Sequence, residues 1–404
     1  MRSATRLHRS LLFLLLLGGC GDPSGPGSEP WKSIQLDERI VHAYTDFGLN
    51  LFGALAADAP ASNIFVSPTS AAFALAMTYN GTAGETARQM ARALGVEGMT
   101  IEDANRANRE WLDALASTGD RKVELSIANS LWIRQGFPIQ PDFLERNQTF
   151  YQAEVQELDF SSPAAVKTIN DWASRSTRGR IPEIVDEIGD EVLFLVNALY
   201  FKGDWAHQFD KRRTRPEPFT LPNGQRKSVQ MMRQEMKFPY YRGDGFALTS
   251  LPYGSGRFSM VLALPDEQSD LAGFYAKLNA ASLEQWIAGQ AGTIEVALPR
   301  FTVEWEETLN DVLIALGIED AFDELRADFA GINPNRRDLH ISEVKQKTFL
   351  KVDEEGTEAA AVTSVGVQPT SASPALIFNR PFFLAIRDNA TGTVLFMGQI
   401  TDPS

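Results

Sequence analysis

The sequence predicts one α+β domain, on three observations. Apolar residues recur at helical spacing through most of the chain up to about residue 180. Beyond that point strand-like runs take over, several of them continuously apolar and ended by proline. From about Ile34 to the C-terminus there is no second linker, repeat or low-complexity block. A chain of 404 residues could hold two or three domains, but nothing divides this one. Helices first and strands later is the order of segregated α+β rather than alternating α/β.

The first 19 residues stand apart from that domain. Arg2, Arg6 and Arg9 form a basic start, and Leu11 to Leu17 is an apolar run too short for a mature transmembrane helix. This is a signal peptide's layout. Leu17-Gly18-Gly19-Cys20 resembles the bacterial lipobox, in which the cysteine is lipidated and cleavage falls before it. Cys20 is the only cysteine, so the fold has no intramolecular disulfide to lean on. Residues 20–33, rich in Gly, Pro and Ser, read as a flexible tether, and residues 34–404 as the folded domain. The expected location is therefore the bacterial cell envelope: exported, membrane-anchored through lipid, at the outer membrane or cell surface.

Within the body, Val41, Tyr44, Leu51, Phe52 and Leu55 predict an opening amphipathic helix. Ser67-Pro68 is an N-cap followed by proline at the first helical position, leading into Ala71 to Leu75. A strand at Val123–Trp132 interrupts the helical patterns. Later strands are predicted over Val192–Phe201, Ser259–Leu264 and Ile294–Leu298. Phe382–Ile386 and Val394–Ile400 flank the turn-like Asn389-Ala390-Thr391-Gly392, predicting a hairpin.

Composition narrows the function. The formal charge is -14, and losing three arginines and no acids with the leader takes it from -14 to -17. No basic stripe is present to neutralise phosphates, which argues against nucleic acid as a partner. Residues 101–117 carry Glu102, Asp103, Glu110 and Asp113 against Arg106 and Arg109, a net acidic stretch. The four histidines (His8, His42, His207, His340) belong to no recognisable catalytic pattern; G-x-S-x-G, H-E-x-x-H and the phosphate-binding loop are all absent. Gly254-Ser255-Gly256 reads as a loop. The chain is not expected to be an enzyme, nor to need a metal or cofactor.

The informative segment is Asp353-Glu354-Glu355-Gly356-Thr357-Glu358-Ala359-Ala360-Ala361-Val362-Thr363. It closely resembles the hinge of the serpins, a family of serine protease inhibitors. Further matches follow in the family's order: Asn63-Ile64-Phe65-Val66-Ser67-Pro68, Asn197-Ala198-Leu199-Tyr200-Phe201-Lys202-Gly203-Asp204-Trp205, Leu298-Pro299-Arg300-Phe301, Ala327-Asp328-Phe329-Ala330-Gly331-Ile332, Phe378-Asn379-Arg380-Pro381-Phe382 and Leu395-Phe396-Met397-Gly398. The resemblance implies three β-sheets, eight or nine helices and an exposed reactive-centre loop. It also implies a monomer that forms a covalent acyl-enzyme with a serine protease, then inserts the cleaved loop into its large sheet. A serpin that does not inhibit (a chaperone, carrier or storage protein) is the alternative. Bulky or charged residues on the hinge's inward face would favour it, and Thr357, Ala359 and Ala361 are neither.

The residues can be read against that role. Alternate side chains of a strand face opposite sides. If Thr357 faces the core, so do Ala359, Ala361, Thr363, Val365 and Val367, all small or β-branched and none charged. Gly356 offers backbone freedom at the start. Family spacing puts the reactive bond at Thr370–Ser371, and from Thr357 to Thr370 an extended strand would span roughly 43 Å. Residues 357–377 contain no Arg, Lys or aromatic, and Thr370 follows Pro369. That suits a shallow elastase-like or subtilisin-like pocket better than a trypsin-like or chymotrypsin-like one. By resemblance, Glu354, Gly356, Thr357, Ala359, Ala360 and Ala361 form the hinge. Ser67, Ser70 and Asn197 match the polar cluster where the sheet opens, with Gln346 in place of a usual histidine. Trp205, Arg300 and Glu354 match the point of loop entry. Thr357 is expected to be solvated before cleavage.

Overall fold

The apolar stripe from Ile40 to Leu55 becomes helix α1 (Glu38–Asp58). Asp37 caps it by accepting the Arg39 N–H, and Ile40, Tyr44, Phe47, Leu51 and Phe52 face the core. Helix α2 (Pro68–Tyr79) starts as the Ser-Pro pair requires, with Ser67 Oγ accepting the Ser70 N–H at 3.2 Å. It is buried almost all round, so it runs through the middle of the fold. The computed structural model describes residues 34–117, 119–336, 338–357 and 374–403, all within one compact unit.

The remaining helices are α3 (Gly84–Ala93), α4 (Ile101–Ala116), α5 (Pro141–Tyr151), α6 (Pro163–Ser176), α7 (Leu271–Tyr275), α8 (Ala280–Ile287) and α9 (Asn310–Ala315). The first strands are β1 (Ile64–Val66), β2 (Val123–Arg134), β3 (Glu154–Leu158), β4 (Leu193–Asp204), β5 (Arg215–Thr220), β6 (Arg226–Arg242), β7 (Phe246–Tyr253) and β8 (Phe258–Pro265). They continue as β9 (Ala291–Pro299), β10 (Phe301–Thr308), β11 (Lys345–Val352), β12 (Gly356–Thr357), β13 (Ala375–Ile377), β14 (Phe382–Asp388) and β15 (Val394–Ile400). Among the described residues there are thus nine α-helices and three sheets, an α+β architecture.

The largest sheet runs β1-β15-β14-β8-β7-β6-β9-β13, with β5 also on β6. In it, between β1 and β8, lies the predicted C-terminal hairpin, β14 against β15. Gly392 takes φ +80° in the turn between them. The second sheet has the order β12-β4-β2-β3, and the third is the pair β10-β11.

The second sheet is covered on both faces. On one side Val123, Leu131, Ile133, Leu199 and Phe201 join the main core with α1 and α2. On the other, Trp132, Val196 and Ala198 pack against Phe160, Ile169 and Trp172 of α6 and the chain just before it. Between the facing edges of β4 and β11 no ladder forms among the described residues. That gap is where the site lies.

Candidate functional site

The hinge leaves β11 through a tight turn. Asp353 Oδ1 accepts the N–H groups of Glu355 and Gly356, and the Asp353 N–H donates to Gly356 O at 3.0 Å. The chain then doubles back as β12, pairing Gly356 with Asp204 and Thr357 with Gly203 of β4. Only glycine fits at 356: a Cβ there would lie 2.2 Å from Gly203 O and 2.7 Å from Asp204 Cα. Gly203 is equally constrained, since a Cβ would meet the Tyr253 ring at 2.8 Å.

These two close approaches seat Thr357. The sequence reading had it in solvent before cleavage, and the structure corrects this: Thr357 is 2% exposed. Its hydroxyl and that of Tyr253 are hydrogen-bonded at 2.8 Å. The physical reason is the missing pair of Cβ atoms, which lets β12 lie flush on β4 above a tyrosine with an otherwise buried hydroxyl.

The residues before Gly356 are fastened to one segment, 205–214. Trp205 donates its indole N–H to Asp353 O and its backbone N–H to Glu355 O, both at 2.9 Å. It is buried and stacked on Tyr253 with ring centroids 4.4 Å apart. The Phe209 N–H donates to Glu354 O at 2.8 Å. The carboxylate of Glu354, itself 2% exposed, accepts from Thr214 Oγ1 at 2.7 Å and pairs with Arg300 at 2.5 Å. Burial alone would raise the Glu354 pKa; the hydrogen bonds from Thr214 and Arg300 outweigh it and hold the carboxyl below its ordinary value. Lys211 pairs with Glu355. Trp205, Arg300, Glu354, Gly356 and Thr357 therefore meet in one place.

The predicted polar cluster lies further down the gap. Gln346 is buried, and both ends of its amide are used on Ser67: Oε1 accepts the Ser67 N–H at 2.7 Å, and Nε2 donates to Ser67 O at 3.0 Å. Ser67 Oγ donates to Leu395 O, and its backbone and side chain together tie β11, α2 and β15. Asn197 stands on the opposite edge, where its Nδ2 donates to Asn129 Oδ1 at 2.7 Å, and Asn129 Nδ2 donates to Tyr151 O at 2.8 Å. Asn129 and Asn197 are direct cross-strand partners. Ser67, Ser70, Asn197 and Gln346 all line one cavity of about 940 Å³ between β4 and β11.

Sequence reasoning missed Tyr253, Thr214 and Asn129. Ala359, Ala360, Ala361 and the reactive bond Thr370–Ser371 lie outside the described residues, as does Cys20. Beyond them the chain returns as β13, parallel to β9, with Glu295 donating its N–H to Pro374 O and Phe378 fully buried. Among the described residues no group of His, Cys, Asp and Glu could hold a metal ion.

Comparison with known proteins agrees with this arrangement. Residues 42–403 match the family described as Serpin (serine protease inhibitor). The leukocyte elastase inhibitor of Homo sapiens is 37% identical over 384 residues, covering 91% of this chain and all of that one. An uncharacterised serpin-like protein of Thermococcus kodakarensis is 36% identical, covering 91% of this chain and 86% of its own. The native-state crystal structure of tengpin, a thermophilic serpin, superposes with a TM-score of 0.82 at 32% identity, over 92% of this chain and 96% of tengpin. The chain belongs to the serpin family of serine protease inhibitors.

Proposed function

We propose that this chain is an irreversible suicide-substrate inhibitor of serine proteases, cut at Thr370–Ser371 and completed by entry of the cut loop between β4 and β11. The observation that carries the reading is β12: two loop residues already pair with β4 at the mouth of a gap whose edges, among the described residues, lack a ladder. In the proposed reaction the protease serine oxygen bonds to the Thr370 carbonyl carbon, the bond to Ser371 breaks, and the Ser371 amine leaves with a proton. The ester that remains ties the enzyme to the loop. Insertion then carries it from the site of attack before water can cleave the ester; serpin loop insertion is itself the general example of such a switch.

Target preference follows from the small β-branched Thr370 after Pro369, and from a loop without Arg, Lys or aromatic residues. An elastase-like or subtilisin-like enzyme fits, and the similarity to a leukocyte elastase inhibitor supports that choice. Incubation with pancreatic elastase should give an SDS-stable complex, and mass spectrometry should find a released peptide beginning at Ser371. Cleavage with no complex, or cutting mainly after Val365 or Val367, refutes the assignment.

The proposed setting is the bacterial cell envelope, with lipid on Cys20 and residues 21–33 as tether. Cys20→Ala should abolish incorporation of labelled fatty acid and release the protein from the membrane fraction. Unchanged labelling and fractionation would contradict it.

A further inference from the structure

Two polar groups in the floor beneath α6 have no partner in the protein. Ser130 Oγ and Trp132 Nε1 belong to side chains 0% and 1% exposed, and neither makes a hydrogen bond. Residues two apart on a strand share a face. Trp132 packs with Phe160, Ile169 and Trp172, so this is the face of β2 that α6 covers. A hydroxyl can donate or accept, whereas an indole N–H can only donate. Trp111 and Trp205 are as deeply buried, and they donate to Thr393 Oγ1 at 2.6 Å and Asp353 O at 2.9 Å. Trp132 is the exception.

The helix above supplies nothing to pair them. Its buried side chains are Ala165, Ile169, Trp172 and Ala173, and the Trp172 ring meets Trp132 edge-to-face at 6.1 Å. Its polar side chains are engaged elsewhere: Lys167 with Asp171, Thr168 Oγ1 with Ala164 O, and Asn170 with Ile184 and Val185. The neighbours of Ser130 and Trp132 on β4 are the apolar Val196 and Phe194. Those on β3 are Glu154 and Gln156, which are exposed.

A polar group left buried and unpaired costs more than a made hydrogen bond returns. Here the cost is borne only while α6 lies on the sheet, because lifting the helix would let water reach both groups. Asn170 fastens α6 to the segment that follows it, and that segment crosses to β11, where Asp186 pairs with Lys345. A strand entering between β4 and β11 would push this segment outward and draw α6 with it. The helix is therefore held least firmly in the direction that opening requires.

We propose that Ser130 and Trp132 make α6 a cover that lifts readily, and so set how fast the gap between β4 and β11 opens. This rests on the insertion reading above and adds the part of the fold that gates it.

The test removes each polar group and keeps its shape. Ser130→Ala deletes the hydroxyl, and replacing Trp132 with benzothienylalanine keeps the two fused rings without the N–H. Ile169→Val, which thins the apolar packing under α6, is the opposing control. Three readouts are taken: the melting temperature of the intact protein, amide hydrogen exchange across residues 163–176, and the ratio of SDS-stable complex to cleaved inhibitor with pancreatic elastase. Each polar deletion should raise the melting temperature by about 2 °C, slow α6 exchange about fivefold and lower the ratio by a similar factor. Ile169→Val should lower the melting temperature and speed exchange, with a ratio no lower than the parent's. A melting temperature lowered by both polar deletions would mean that a bound water pairs these groups, and would overturn the proposal. An unchanged ratio alongside slower exchange would overturn it too. A parent that is cut without forming complex refutes the inhibitor reading instead, and α6 exchange then still decides whether the seat is loose.

Discussion

Thr357 occupies its inward position before any protease arrives, and this changes what a substitution there costs. Thr357→Arg asks a charge to sit unpaired against Tyr253, at an effective cost of several kcal/mol. The intact protein has an escape: it can release the two-residue β12, losing only its short pairing with β4 and the Tyr253 hydroxyl contact, about 1 kcal/mol for each hydrogen bond. The inserted state has none, because every later rung depends on the first. The expected outcome is a modest drop in the intact melting temperature and loss of SDS-stable complex, with the loop cut as an ordinary substrate. Equal complex from parent and variant would falsify the inward placement of Thr357. Much of this site was legible in the sequence because it depends on residue type: Gly356 and Glu354 carry their chemistry locally. Tyr253 was not, since it reaches Thr357 from 104 residues away. Asn129 could have been found. It breaks the inward apolar row Val123, Leu125, Ile127, Leu131, Ile133, as Asn197 breaks Leu193, Leu195, Leu199, Phe201, and the two breaks are cross-strand partners.

The segment that follows α6 spans the gap on its outer face. Asn170 holds it on the β4 side, accepting the N–H groups of Ile184 and Val185 and donating to Val185 O, while Val185 packs in the cluster with Val196 and Ala198. On the β11 side Arg180 lies over the Phe349 ring at 4.9 Å, and Asp186 pairs with Lys345 at 2.5 Å and Lys347 at 3.6 Å. Glu306 and Glu343 are the other charges facing these lysines. A strand entering between β4 and β11 must move the two edges that this strap joins. Asp186→Asn should therefore shorten the time for which the intact inhibitor keeps its activity on warming, by several-fold. The hydrogen bond from Lys345 holds the Asp186 carboxyl below its ordinary range, so the contribution is complete above that range and fades as pH falls through the depressed pKa. Parent and variant half-lives should differ at neutral pH and converge in acid below about pH 4. A constant ratio at all pH values would exclude the carboxylate as the latch. At this scale the sequence revealed strands buried on both faces, such as β4, β8, β14 and β15. It did not reveal β10 and β11, whose outward rows of Glu304 and Glu306, and of Lys345, Lys347 and Lys351, dilute the apolar signal. The edge strand β3 is five residues with no buried side chain, and helices α7 and α9 are too short for periodicity to register.

For the whole molecule, two strand edges, β4 and β11, form no ladder with each other among the described residues, and the sequence of residues 358–367 suits the space between them. Backbone N–H and C=O groups in a covered sheet are costly to leave unpaired, so this arrangement is less stable than one with a strand in the gap. On the proposed mechanism it persists because the loop, tied at Thr357 and again at β13, would not thread fully inward while its chain is continuous, a kinetic rather than an equilibrium protection. In the proposed reaction, cutting at 370 would remove the second tie. On that mechanism residues 358–367 would then add about ten rungs, each worth ~1 kcal/mol net. At roughly 2 °C per kcal/mol for a chain of this size, the cleaved protein should melt on the order of 20 °C above the intact one, with no change in covalent composition beyond one hydrolysed bond. Differential scanning calorimetry before and after limited elastase digestion measures the shift directly. The same digestion of Thr357→Arg should yield a much smaller rise, because its first rung cannot form. A cleaved parent that melts with the intact protein would mean that the gap between β4 and β11 is not completed by this loop.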